Sequence, residues 1–82
     1  MKKDINQRNE EWKRHGYWED YHLNGKPYSI GYYNNGNRIG YWECYYSNGK
    51  LFSKGNYDND NRIGYWEWYN LNGELESQIF YS

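Results

Sequence analysis

Glu19, Glu43 and Glu67 stand 24 residues apart, and each lies two residues from a tyrosine on either side: Tyr17 and Tyr21, Tyr41 and Tyr45, Tyr65 and Tyr69. A carboxylate column invites an acid–base reading. If each period adds two strands to a sheet, neighbouring carboxylates fall about 9.5 Å apart, within the span that inverting glycosidases use. Three identical copies point instead to a structural ladder, with Ile30, Lys54 and Gln78 across the strand. Arg14, Arg38 and Arg62 recur at the same period. They can stack on a ring or pair with an acid, or form a guanidinium row for a nucleotide, a phospholipid headgroup or an acidic loop. His15 and His22 have no counterparts one period away, and with a single Cys44 they make no zinc-type spacing. Asp20 and Trp68 occupy the Cys44 column and no cation adjoins it in sequence, so it reads as a strand residue rather than a nucleophile. There is no recurring nucleophile–base pair and no glycine-rich phosphate loop. The chain reads as a non-enzyme with no cofactor and no metal.

The residues that could position these groups are unusual. In 82 residues there is no Ala, Val or Thr, and the aliphatic supply is five Ile and four Leu, while Phe, Trp and Tyr make up 23%. Burial must come from rings, which cover large areas with few rotors to freeze. Ten basic and eleven acidic residues are well mixed, for a net charge of −1. That removes the basic excess expected of a nucleic-acid binder and the cationic cluster expected of a membrane-surface module. No apolar run reaches the roughly 20 residues of a membrane span. Lys2 and Lys3 precede no apolar stretch, so no leader is expected and the location expected is cytoplasmic.

The whole pattern is a repeat. Gly16-Tyr17-Trp18-Glu19 returns as Gly40-Tyr41-Trp42-Glu43 and Gly64-Tyr65-Trp66-Glu67, each followed by an Asn-Gly pair at 24–25, 48–49 and 72–73. Asn-Gly between aromatic runs predicts a two-residue type I′ hairpin turn. That register sets Leu23 against Lys26, Tyr21 against Tyr28, Glu19 against Ile30, Trp18 against Gly31 and Tyr17 against Tyr32. Trp42 then faces Gly55, and an indole opposite a glycine is expected to fold over the bare backbone of its partner strand. Residues 34–39 should form the longer turn between repeats, with Asp60 taking the place of Gly36 in the next copy.

Alternation divides the side chains between two faces. Trp18, Asp20, His22, Pro27, Ser29 and Tyr33 share one; Tyr17, Glu19, Tyr21, Leu23, Tyr28, Ile30 and Tyr32 share the other. The expected fold is all-β: a single-layer antiparallel meander of about six strands in three hairpins (16–39, 40–63 and 64–82). Residues 1–13 form an N-terminal arm outside the repeat region 14–82: a short helix capped by Asp4, with Ile5 and Trp12 on one side, or else a loosely docked arm or a fraying lead strand. One layer cannot bury both faces by itself, so something must cover at least one.

Gly-x-Trp-x-x-Tyr-x-x-Asn-Gly, with a tyrosine eight residues later and Arg-x-Gly leading into the next copy, resembles the MORN-type repeat, closest to its variant in bacterial YwqK-like antitoxins. The match is carried by Gly16, Trp18, Tyr21, Asn24, Gly25 and Tyr33 and their counterparts. The resemblance implies a hairpin array that serves as a binding or scaffold module. The expected function is non-enzymatic docking on a partner protein through Tyr17, Glu19, Tyr21, Tyr41, Glu43, Tyr45, Tyr65, Glu67 and Tyr69, in the manner of an antitoxin or inhibitor. The alternative is a small-ligand site built on aromatic rungs and the arginine row. The last copy reaches Ser82 with an aromatic edge strand and no polar cap, so a homodimer through that strand or the open aromatic face is also expected.

Overall fold

The computed structural model describes residues 5–82, which form one antiparallel sheet of seven strands in sequence order. The strands are β1 (Gln7–Arg8), β2 (Arg14–Tyr21), β3 (Pro27–Asn34), β4 (Asn37–Tyr45), β5 (Leu51–Asp58), β6 (Asn61–Tyr69) and β7 (Leu75–Tyr81). The strand beyond the expected six is β1, which pairs Gln7 with His15 and Arg8 with Arg14. The arm is therefore a lead strand: no helix occurs from Ile5 onward, and Asp4 lies outside the described residues. The molecule measures 40 × 35 × 20 Å, and no second layer covers either face among the described residues.

The two kinds of turn are exchanged relative to the sequence reading. At Asn24-Gly25 the loop has three residues: Gly25 N–H donates to His22 O (2.9 Å), and His22 N–H donates to Lys26 O (2.8 Å). Only Gly25 in this loop has positive φ (+88°), so Leu23 and Asn24 make an ordinary turn that glycine closes in the left-handed region. The same bonds recur at Tyr46–Lys50 and Asn70–Glu74. The two-residue I′ turns lie between repeats. Asn34 pairs with Asn37 around Asn35 (φ 51°) and Gly36 (φ 88°), and Asp58 pairs with Asn61 around Asn59 (φ 46°) and Asp60 (φ 70°). Asp60 takes the left-handed conformation expected of it.

The odd-length loop would flip the register, and a bulge restores it. Tyr21 faces Pro27 rather than Tyr28, Asp20 faces Ser29, and the expected Glu19–Ile30, Trp18–Gly31 and Tyr17–Tyr32 pairs follow. Leu23 faces no partner because it sits in the loop. Tyr28 is the extra residue, and its ring meets His22 edge-on at 5.1 Å, on the tryptophan side rather than the expected tyrosine side. Phe52 does the same against Tyr46.

A second irregularity builds the core. Between β3 and β4 the register jumps from Ile30–Glu43 to Tyr32–Ile39, so Gly31 alone stands against Gly40, Tyr41 and Trp42. The Trp42 indole drops onto Gly31 so closely that a Cβ there would lie 2.1 Å from Cδ2, and Trp66 treats Gly55 alike (2.2 Å). The ring that covers each glycine thus belongs to the following strand, not to the tryptophan paired with it. Trp42 Nε1–H donates to Tyr32 O and Ile39 O, and Trp66 Nε1–H donates to Asn56 O, so no indole polar atom is buried unpaired. Trp18, Trp42, Tyr57 and Trp66 are the buried rings. They lie in an edge-to-face series that runs Trp18–Tyr33–Trp42–Tyr57–Trp66 across the sheet, with centroids 5.0–6.1 Å apart. Pairs of this geometry contribute roughly 0.5–1.5 kcal/mol each beyond their buried area.

The arm completes this series at its start. Gln7 O accepts from Trp18 Nε1–H at 2.8 Å, as Tyr32 O does from Trp42. Asn9–Lys13 copies the three-residue loop, with Trp12 (φ 63°) where the repeats have glycine. The Asn6 side chain imitates a peptide group: its Oδ1 accepts from Glu19 N–H (2.8 Å) and its Nδ2–H donates to Glu19 O (3.0 Å).

Candidate functional site

Strand alternation puts the two sets of candidate residues on opposite faces. On one face every expected tyrosine–glutamate trio closes. Tyr17 Oη–H donates to Glu19 Oε2 (2.7 Å) and Tyr21 Oη–H to Oε1. Tyr41 and Tyr45 donate to the two oxygens of Glu43, and Tyr65 and Tyr69 to those of Glu67. Residues i and i±2 share a strand face, so a central carboxylate can reach both phenols without leaving its strand. Glu19, Glu43 and Glu67 face Ile30, Lys54 and Gln78 as the register requires, and Lys54 Nζ reaches on to Glu67 Oε1 at 3.4 Å.

These bonds set the chemistry. The two phenol donors, with Lys54 behind them, hold the Glu67 carboxyl below the usual carboxylate range, the reverse of what a general base near neutral pH needs. The hydrogen bond to Glu19 pushes the Tyr17 phenol up to about 12, and partial burial together with the Glu43 bond pushes Tyr41 up to about 12. Burial raises Tyr45 as well. The face is a lattice of phenols hydrogen-bonded to carboxylates. Tyr21, Tyr32, Tyr41 and Tyr65 stay about half exposed, so the rings are fixed yet accessible.

The arginines lie on the tryptophan face, near the I′ turns. Arg14 stacks on Trp18 (4.2 Å to the ring centroid) while its Nη1 donates to Asp20 Oδ2 (2.9 Å) and Tyr33 Oη. Arg38 stacks on Tyr57 (4.2 Å) and donates from Nε to Asp60 Oδ1 (2.9 Å), which also accepts from the Arg38 backbone N–H. Those two Arg38 donors hold the Asp60 carboxyl below its ordinary value. Arg62 lies over Trp66 and Trp68 at 5.2 and 5.5 Å. Between the first two arginines is an open cleft of about 520 Å³ lined by Arg14, Asp20, Ser29, Tyr33, Arg38 and Trp42. Cys44 also borders the cleft, half-buried, with burial pushing its thiol up, so it is a poor nucleophile.

Some of these partners have no signal in the sequence. Asp20 and Asp60 have no acidic counterparts in their columns, and each is an arginine's partner only because of the tertiary geometry. The histidines are structural: His22 Nε2 bonds Tyr45 O (2.8 Å), and His15 Nδ1 accepts from Asn35 N–H (3.2 Å). Asn24 and Asn48 tie neighbouring loops together, their Nδ2–H donating to Ser47 O and Leu71 O.

An open sheet of hairpins with a glycine-seated tryptophan in each joint is the architecture of a short hairpin-repeat array. The family model described as the MORN repeat variant matches residues 14–35, 38–59 and 62–82, and the chain belongs to that family. Neither the curated proteins nor the solved structures hold a match to the chain.

Proposed function

We propose that this chain is a cytoplasmic, non-enzymatic binding module that docks its tyrosine face on a partner protein and acts as an antitoxin-like inhibitor of it. The observation that carries the reading is the phenol–carboxylate lattice. Tyr17, Tyr21, Tyr41, Tyr45, Tyr65 and Tyr69 are held by Glu19, Glu43 and Glu67 on a face that no other element covers among the described residues. Rings already fixed lose little entropy on binding, which is why tyrosine dominates recognition surfaces. An uncovered aromatic field of this breadth is the usual mark of an interface. Membership of a repeat family that serves in binding supports the same reading.

Affinity capture from the native cell tests it, using wild type, Tyr41→Ser/Tyr65→Ser and, as a control on the opposite face, Arg62→Gln. The expected result is one stoichiometric partner, retained by the control and lost by the tyrosine variant. A partner kept by the tyrosine variant and lost by the control would overturn the assignment.

The cleft beside Arg14 and Arg38 favours one second reading. Aromatic rungs could stack a planar ring while Arg14, Arg38 and Arg62 take the anionic group of a nucleotide-like ligand or a headgroup. A thermal-shift screen separates the two, since a ligand specific to the native state raises the melting temperature without any protein partner.

A further inference from the structure

The chain carries an internal record of what docks on an outgoing strand. β3 and β5 each receive the next incoming strand, and each accepts its indole on a glycine, Gly31 or Gly55. In β7 the same column holds Ile79, paired with Trp66 as Gly55 is with Trp42 and Gly31 with Trp18. Where a single Cβ would come within 2.1–2.2 Å of the indole, a whole isoleucine side chain excludes it. The outer edge of β7 therefore refuses a further tryptophan-bearing repeat in the register used inside the chain, whether from the same polypeptide or another.

That edge is nonetheless unpaired among the described residues. Ser77 is exposed where Ser29 and Ser53 are buried, and Ile79 and Phe80 are 45% and 74% exposed. The opposite edge differs. β1 offers only two residues and carries Arg8, the short charged kind of edge that resists pairing. A head-to-tail stack of β7 on β1 would align almost nothing, so among the described residues the sheet has one edge fit for pairing.

We propose that β7 pairs antiparallel with β7 of a second copy, giving a closed twofold dimer with a continuous fourteen-stranded sheet. A surface that meets its own copy about a twofold closes at two chains, whereas a head-to-tail contact would grow. A twofold near Gln78 sets Ser77 opposite Ile79 and Glu76 opposite Phe80, so the one charge on the strand does not meet itself. The contact runs along an edge and leaves both tyrosine faces free, so it stands independently of the partner proposed above.

Sedimentation equilibrium of the full chain is the test, with far-ultraviolet circular dichroism to confirm that each variant is folded. Wild type should approach twice the 10.2 kDa chain mass as concentration rises, and Phe80→Glu, which sets a second carboxylate against Glu76, should stay at the single-chain mass. In a Cys44→Ser background, Gln78→Cys should form a disulfide-linked dimer on mild oxidation, which reads out the edge even if the glutamate variant folds poorly. A wild type that stays monomeric, masses that grow past two chains, or a dimer that survives Phe80→Glu while Gln78→Cys fails to cross-link would each overturn the proposal.

Discussion

Each glutamate of the tyrosine face accepts from two phenols, and the shifts of Tyr17, Tyr41 and Glu67 in this lattice give the stability a defined pH dependence. Tyr17 and Tyr41 hold their protons to about 12 in the folded chain, above the ordinary phenol value of about 10. A raised native pKa contributes stability that is complete below the unfolded value and fades as pH rises through the native one. Glu67 is lowered, so its contribution is complete above the ordinary carboxylate value and fades as pH falls through the native one. Melting temperature should therefore hold a plateau around neutral pH and drop on both the acid and the alkaline side. Glu67→Gln should flatten part of the acid limb, and an acid limb identical to wild type would show that the Tyr65 and Tyr69 bonds are not formed in solution. The trios were legible in the sequence because spacing two on a strand fixes a shared face. Asp20 and Asp60 were not, because a column read by residue type gives no hint of a partner that only one copy possesses.

The hairpins were legible as elements, and their turns were misplaced. Asn-Gly serves two geometries: both residues at positive φ in a I′ turn, or glycine alone at the end of a three-residue loop. The I′ turns here sit at Asn35-Gly36 and Asn59-Asp60, and the second has no glycine to announce it. The register of the strand centres survived because the Tyr28 bulge compensates the extra loop residue, a correction that composition does not encode. Both geometries demand positive φ at Gly49, which has 91°. Gly49→Val should thus cost on the order of 1–3 kcal/mol, the usual scale for a strained backbone position. Chemical denaturation of the variant measures it, and a midpoint equal to wild type would mean that this loop is not held in the folded chain.

As a whole, the molecule is a one-layer array in which each joint depends only on its neighbours, so stability should rise with every joint added. Ile79 makes this testable. Appending a copy of residues 35–58 after Ser82, which begins with the I′ turn pair, should raise the melting temperature little in the wild-type background, because the new tryptophan finds no seat. With Ile79→Gly the same extension should give a clear rise. Equal gains in both backgrounds would show that the isoleucine can be displaced and does not close the array. The single layer followed from the three aromatic periods and the shortage of aliphatic residues. The expectation that something covers a face is not met among the described residues: Arg14 over the Trp18 indole, Arg38 over the Tyr57 phenol and tyrosines set edge-on against the indoles do part of the work of a second layer.

The seating of Trp42 on Gly31 has a consequence for where this protein can be cut. The written period begins at a glycine and ends before the next, but the cooperative unit is out of phase with it by half a turn of the meander. The first tryptophan of each repeat is roofed by the strand that precedes its own period: β1 for Trp18, β3 for Trp42, β5 for Trp66. A fragment excised at the sequence boundary, such as 40–63, keeps its indole and forfeits the seat, whereas one cut at the hairpin loops, such as 26–48, keeps both halves of a joint.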